Sequence, residues 1–338
     1  MNTHDRDGRR RMIAGRVRNS IVLISVVVVV FYILRFVRIS GISPQLVYRI
    51  ATHNYRSLKQ TDGRTSVLLL GISGGNREGS QLTDTMLVAT ANLLTGSVSL
   101  LSVPRDIWSS TLKDKINSAY YHGEQKKKAG GLVLSKVVVE DTIGIPIHYV
   151  FRIDFDGFTR LIDNLGGIDV RIPRSFVDTQ FPTEDTKRDA CTREPDSQTC
   201  IYTTVSFAQG IEHMDGKRAL TYARSRGEEG SDFARSVRQQ EVLLAVKNTV
   251  LHPTRWLTPA RFTALRALWP EAVEHTATVG EGAALFSLFF RSRTSDTKMV
   301  AIDHLFESPD PGSFWGRYVL VPIESWESVH AYVENELR

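Results

Sequence analysis

The chain has 338 residues, 42% hydrophobic and 23% charged, an ordinary globular balance that excludes a disordered or fibrous chain. Its formal net charge of +5 is concentrated at one end: residues 1–40 hold eight arginines against two aspartates, a net of +6, which leaves −1 for the other 298. A near-neutral body lacks the basic excess of a nucleic-acid-binding domain, so no nucleic-acid partner is expected.

The basic segment runs straight into Ile21–Leu34 (IVLISVVVVVFYIL). As a helix this run spans about 21 Å, and extension to Val37 gives about 25 Å, with Arg35 snorkelling toward the interface of a hydrocarbon core about 30 Å thick. Arg6, Arg9, Arg10, Arg11, Arg16 and Arg18 precede it, which places the N-terminus in the cytoplasm and the body outside. The expectation is a cytoplasmic tail over 1–20, a transmembrane anchor over 21–37 and a polar stalk over 38–64. A cleaved signal peptide competes, although Ile39-Ser40-Gly41-Ile42-Ser43 is a poor cleavage site, and a buried core strand is the third reading.

Beyond the stalk, Ser66–Ile72 (SVLLLGI) is a continuous apolar run of strand length, the pattern of a strand buried on both faces. A Gly-rich loop leads to Thr85–Asn92 and Ser97–Val103, two strand-like runs joined as a hairpin. Gly131–Thr142 suits a helix that Gly144 and Pro146 terminate, and Ile147–Ile153 a strand. Phe155–Leu165 is an amphipathic helix stopped by Gly166-Gly167, with a short strand at Ile168–Ile172. Cys191 and Cys200, the two cysteines, sit in a polar loop without histidine, which makes a poor zinc site. They predict either a disulfide suited to an oxidising compartment or two reduced thiols. Ser231 or Asp232 can cap a long helix over 233–251, with Leu243, Val246 and Val250 as its inward stripe. Strands and helices interleave without a linker, so residues 65–338 read as one α/β domain.

Two clusters could carry chemistry. A hairpin turn centred between Leu94 and Thr95 sets Asp84 opposite Arg105, and a turn at Thr95-Gly96 moves the partner only to Ile107. Asp84, Arg105 and Asp106 then gather at one end of the sheet; the alternative is a surface ion pair worth under ~1 kcal/mol. Residues 218–238 hold Arg218, Arg224, Arg226, Arg235 and Arg238 and no lysine. Arg224 and Arg226 share a face if extended, and Arg235 and Arg238 share one on a helix. The guanidinium fork suits phosphate oxygens, while a solvated basic face remains the alternative. Paired acids holding a divalent metal beside an arginine clamp are the parts of phosphoryl transfer.

These segments, in this order, resemble the LytR-CpsA-Psr family of membrane-anchored cell-wall glycopolymer ligases. The resemblance rests on VLLLGI, Thr83-Asp84-Thr85-Met86, Val103-Pro104-Arg105-Asp106, Lys115-Ile116-Asn117-Ser118-Ala119-Tyr120, GIPIHYVFRIDFDGF, LGGIDV, MDGKRALTYARSR and DFARSVRQQ, with a weaker match at VLVPIESW. It implies a single α/β domain with a central mixed sheet flanked by helices, a hydrophobic pocket for a prenyl chain, and an N-terminal anchor in the membrane lipid. It implies transfer of a phosphoglycan from a polyprenyl-pyrophosphate carrier to a peptidoglycan hydroxyl, assisted by Mg²⁺ or Mn²⁺. Asp84 and Asp106 would be the catalytic and metal-associated acids, and Arg105, Arg224, Arg226, Arg235 and Arg238 the pyrophosphate clamp. Gln239 is a polar neighbour, and Asp232 and Asn117 are accessory. The family pattern has an arginine two residues before the aspartate, where this chain has Leu82; Arg77 in the preceding loop is the candidate substitute. A tethered binder without catalysis and a pyrophosphatase acting on the same carrier are the alternative functions.

Overall fold

The apolar run at Ser66–Ile72 lies within strand β1 (Arg64–Ile72), which takes a central place because it has a partner on each side. In the computed structural model, which describes residues 38, 48, 55–75, 79–182, 202–227, 232–295 and 297–337, β1 pairs antiparallel with β2 (Thr83–Asn92) and parallel with β4 (Tyr149–Asp154). β2 continues antiparallel to β3 (Val98–Ser102). The edges are β9 (Val273–His275), antiparallel to β4, and β10 (Thr297–Ala301), parallel to β3. The six-stranded mixed sheet therefore runs β9-β4-β1-β2-β3-β10. The anchor at 21–37, Arg77, Cys191 and Cys200 lie outside the described residues, among which no helix is long and apolar enough to cross a membrane.

Side-chain alternation decides what each face of β1 meets. Leu68, Leu70 and Ile72 are buried with Met86, Val88, Leu101 and Val150 against helices α2 (Gly130–Ile143) and α8 (Trp326–Leu337). The opposite face, with Leu69 and Gly71, is only partly buried and floors a cavity. The expectation of a strand packed on both faces is therefore met in the first half of β1, where Val67 packs with Tyr149 and Leu288, and gives way to the cavity at Leu69 and Gly71. An uninterrupted apolar run serves both purposes, because a cavity wall excludes water from the backbone as a core does.

A second layer covers the cavity. It comprises α3 (Phe155–Leu165), α4 (Gly216–Arg224) and α5 (Asp232–Leu251), packed on the two-stranded pairs β5 (Ile168–Ile172) with β8 (Gly210–Met214) and β6 (Phe176–Pro182) with β7 (Tyr202–Phe207). The boundaries of α3 follow from its caps: the Asp154 carboxylate accepts the Gly157 N–H at 2.8 Å, and Gly166 closes the helix in the left-handed conformation. α4 had no counterpart among the expected elements, although Asp215 gives it the same kind of cap by accepting the Arg218 N–H at 2.8 Å. The inward stripe of α5 is centred on Val242 and Ala245, one residue off the expected Leu243–Val246–Val250 line. Leu243 turns instead toward the cavity.

The beginnings of β1 and β4 are tied by a histidine. Ser66 N donates to His148 Nδ1 at 3.0 Å, which makes that nitrogen the acceptor, while Nε2 lies 3.1 Å from Thr61 Oγ1. Burial, reinforced by Lys136, lowers the His148 pKa from its ordinary value. The unfolded chain therefore binds this proton first as the pH falls, so the contribution to stability is complete above the ordinary imidazole value and is lost through the window below it. Melting temperature measured from about pH 7.5 to about pH 5 should fall, and the fall should be shallower in His148→Asn, which keeps an acceptor for Ser66 but does not titrate. Equal slopes would show that His148 is not responsible.

Candidate active site

Two chambers meet at the end of the sheet where β2 begins and β3 stops. The larger, of about 600 Å³, lies between the sheet and the α3–α5 layer, and the smaller, of about 290 Å³, lies beside it. Their shared wall is Asp84, Arg105, Arg235 and Gln239.

The register of the hairpin builds one half of this wall. Leu87 pairs with Ser102 and Val88 with Leu101, the alignment that a turn between Leu94 and Thr95 sets. Asn92 Oδ1 holds that turn by accepting from Leu94 N at 2.9 Å and Thr95 N at 3.1 Å. Val103 N donates to Met86 O at 3.0 Å, and beyond this bond the two strands meet through side chains. Arg105 Nη1 donates to Asp84 Oδ1 at 2.5 Å, and Arg105 Nε lies 3.4 Å from Asp106 Oδ2. Asp106 Oδ1 accepts from Lys115 Nζ at 2.7 Å. Asn117 lines neither chamber; its N–H donates to Arg105 O at 3.3 Å and its carbonyl accepts from Thr83 Oγ1 at 3.1 Å, so it positions the arginine through the backbone.

Helix α5 supplies the other half. Arg235 and Gln239, four apart, face the chambers, with Val242 and Leu243 one turn on. Arg238 does not share that face. It stacks on Phe176 at 3.9 Å and donates to Ser225 O at 2.9 Å, behind the loop that carries Arg226. Asp232 starts α5, and its side chain lies outside the described residues.

The remaining arginines are placed by aromatic rings and by one buried acid. Arg224 ends α4, so the extended pairing expected for it and Arg226 does not form; its guanidinium lies 4.8 Å from the Phe155 ring centre and 5.3 Å from that of Phe181. Asp178, 4% exposed, accepts from Arg226 N at 2.8 Å and Gln180 N at 3.0 Å, fixing the loop at the chamber mouth. Gly227 closes that loop at φ 69°, where a Cβ would come within 2.6 Å of Arg238 Nη2. Arg218 belongs to the fold: it pairs with Glu212 at 2.6 Å and stacks on Phe207 at 3.8 Å. Leu82 lines neither chamber.

The larger chamber therefore has an arginine mouth above an apolar body of Leu69, Leu87, Ile153, Phe158, Leu220 and Val242. Its other acids serve the scaffold, Asp154 as the α3 cap and partner of Arg152 at 3.2 Å, and Asp178 as the loop anchor. Such a space suits an amphiphile with an anionic head. Among the described residues there is no cluster of three or more His, Cys, Asp or Glu fit to hold a metal. Magnesium is commonly held by one or two carboxylates together with substrate phosphates, and Asp84, which faces both chambers, fits that role. Asp106 fits less well, with Lys115 on one oxygen and Arg105 beside the other.

Residues 45–274 match the LytR_cpsA_psr family. The chain belongs to this family. It is 29% identical over 255 residues to TagV of Bacillus subtilis, covering 72% of this chain and 58% of TagV, and 31% identical over 187 residues to TagU of Bacillus cereus, covering 54% and 51%. Both relatives are named polyisoprenyl-teichoic acid–peptidoglycan teichoic acid transferases. The chain thus spans little more than half the length of these curated relatives. The crystal structure of B. subtilis TagV superposes with a TM-score of 0.55 at 27% identity, covering 82% of this chain and 98% of that one. A structure of TagT bound to LI-WTA shares the fold, with a TM-score of 0.55 at 22% identity over 84% and 95% of the two chains.

The layer that carries the arginines depends on a buried pair. Tyr222 OH donates to Glu241 Oε2 at 2.6 Å between α4 and α5, and burial pushes both groups up from their ordinary pKa values. Tyr222→Phe removes the donor and keeps the ring packing on Phe176 and Phe207. It should cost about 1–3 kcal/mol, read as a lower urea midpoint at unchanged m-value. An unchanged midpoint would show that Glu241 finds another partner.

Proposed function

We propose that this chain is a membrane-anchored phosphotransferase that moves a phosphoglycan from a polyprenyl-pyrophosphate carrier to a hydroxyl of peptidoglycan. One observation carries the reading: an apolar chamber under an arginine mouth ends at a wall holding the Asp84–Arg105 pair. The prenyl chain occupies the apolar body, and Arg224, Arg226 and Arg235 meet the pyrophosphate. The roles named in the two relatives, TagV and TagU, support this class of reaction. Residues 21–37 supply the anchor, with the catalytic domain on the outer side of the membrane.

In the reaction the acceptor hydroxyl oxygen attacks the sugar-linked phosphorus and forms the new phosphodiester bond. The bond from that phosphorus to the bridging oxygen breaks, its electron pair leaving with polyprenyl phosphate. The hydroxyl proton passes to a carboxylate, Asp84 at the wall or Asp106 in the smaller chamber. Arg105, held by Asp84, is oriented before substrate arrives, so its alignment needs no reorganisation in the transition state. Magnesium or manganese, held by Asp84 and the pyrophosphate oxygens, would offset charge on the leaving phosphate when bound.

The test is transfer by the full chain in detergent, with a polyprenyl-pyrophosphate glycan, peptidoglycan strands and Mg²⁺, followed by mass spectrometry of the linked product. Asp84→Asn and Arg224→Ala should each lower turnover by about 10²–10³-fold, and EDTA should abolish it. Phosphate release without linked product would make the chain a pyrophosphatase. Carrier binding with no turnover, unaffected by Asp84→Asn, would make it a tethered binder.

A further inference from the structure

The smaller chamber differs from its neighbour in origin and in charge. Its outer wall, Asp303, Phe306, Glu307, Ser308, Tyr318 and Leu320, comes entirely from beyond residue 274, where the family match ends. Two hydrogen bonds fasten this wall to the site, Leu320 N to Asp106 O and Trp108 N to Leu320 O, both at 2.9 Å. Its acids, Asp84, Asp106, Asp303 and Glu307, outnumber its arginines, Arg105 and Arg235. A second phosphate is disfavoured there by like charge, whereas neutral hydroxyl groups can donate to the carboxylates.

An aromatic group adjoins this wall through Trp108, whose N–H bonds the lining residue Leu320. Trp108 packs edge-on against Phe314 at 5.0 Å and tilted against Trp315 at 6.1 Å. Tyr318 lines the chamber under Lys115, whose Nζ lies 5.8 Å from the ring centre. Trp315 is 79% exposed and Tyr318 58% exposed. Trp315 also holds φ at 54°, a left-handed backbone that bulky residues rarely adopt. That conformation costs stability while leaving a large apolar ring mostly in water, a combination found where a ligand covers the ring.

The geometry points to this chamber and its aromatic apron as the acceptor subsite, taking a neutral β-linked amino-sugar strand. The inference rests on the transfer reading given above. With the carrier in the larger chamber, the leaving polyprenyl phosphate departs on that side, and in-line displacement requires the hydroxyl to arrive from the opposite one. The wall of Asp84, Arg105, Arg235 and Gln239 is the boundary between the two sides, so the smaller chamber is the side from which the hydroxyl comes. One sugar ring sits with its C–H face on Tyr318 and places its hydroxyl near Asp106 and Asp84, and the strand runs outward toward Trp315, three residues away in the chain.

The probe is chitotetraose, a neutral β-1,4-linked amino-sugar strand, titrated into the full chain in detergent while tryptophan emission is followed. Binding of a fluorescent polyprenyl pyrophosphate is measured separately. Wild type should give a saturable change with chitotetraose, weakened about fivefold to tenfold in Trp315→Ala and in Tyr318→Ala, with carrier affinity unchanged. In the transfer assay these variants should raise the acceptor KM and leave kcat near wild type. Carrier binding without chitotetraose binding, or unchanged affinity in both variants, overturns the acceptor subsite and leaves the proposed function standing. Failure of wild type to bind either ligand removes both.

Discussion

The ladder between β2 and β3 ends with the Val103 N–H to Met86 carbonyl bond at 3.0 Å, and the site depends on where it ends. Past that bond Asp84 and Arg105 stand in line at the sheet end but are not joined to each other by the ladder. They meet through a charge-assisted hydrogen bond instead, which gives the guanidinium a fixed direction. A one-residue slip of this hairpin would turn Asp84 to the other face of the sheet and separate the two. The Asn92 turn is therefore as much a part of the site as the acids are, although it lies at the far end of both strands.

Arginine rather than lysine between 218 and 238 has two physical causes, and the structure divides the residues between them. A planar guanidinium can grip phosphate oxygens, and it can also lie flat on a ring while donating from its edge. Arg218 on Phe207 and Arg238 on Phe176 follow the second use, each also bonded at its edge, to Glu212 and to the Ser225 carbonyl respectively. Arg224 lies between Phe155 and Phe181 and also lines the larger chamber, where the proposed pyrophosphate would meet it. Lysine in these places would keep the charge and lose the stacking, so the scaffold and the anion site impose the same residue type.

That double cause explains why the sequence ranked the arginines imperfectly. Arg235 and Arg238 are three apart and looked equivalent on a helix, but a 3.6-residue period lets the stripe continue through Gln239 and Val242, which leaves Arg238 on the neighbouring face. What was legible came from rules with short reach: the hairpin register from its turn, α3 from its amphipathic pattern and a Gly-Gly stop, α2 from Gly144. What was not legible depends on distance in the chain. Apolar strand residues obey the same alternation whether they face a core or a cavity, so Leu68 and Leu69 could not be told apart before the second layer was in place. The smaller chamber joins residues near 84 and 106 to residues near 303 and 320, and no local pattern announces such a meeting.

The opposite polarity of the two chambers would give the proposed transfer a direction. Both borrow the same wall, yet Arg224 and Arg226 face only the larger space, while Asp106, Asp303 and Glu307 face only the smaller. An anionic head group is thus attracted to one side and repelled from the other, and in the proposed transfer the released phosphate would stay where the arginines already are. A neutral hydroxyl has no such preference and enters where carboxylates can accept its proton. Arg105 sits between the two potentials, paired with Asp84 and adjacent to Asp106, so it can compensate charge on the phosphorus side without leaving the acids on the hydroxyl side unbalanced. Moving charge across this wall, rather than filling either chamber, is what the arrangement of β2, β3 and α5 makes possible.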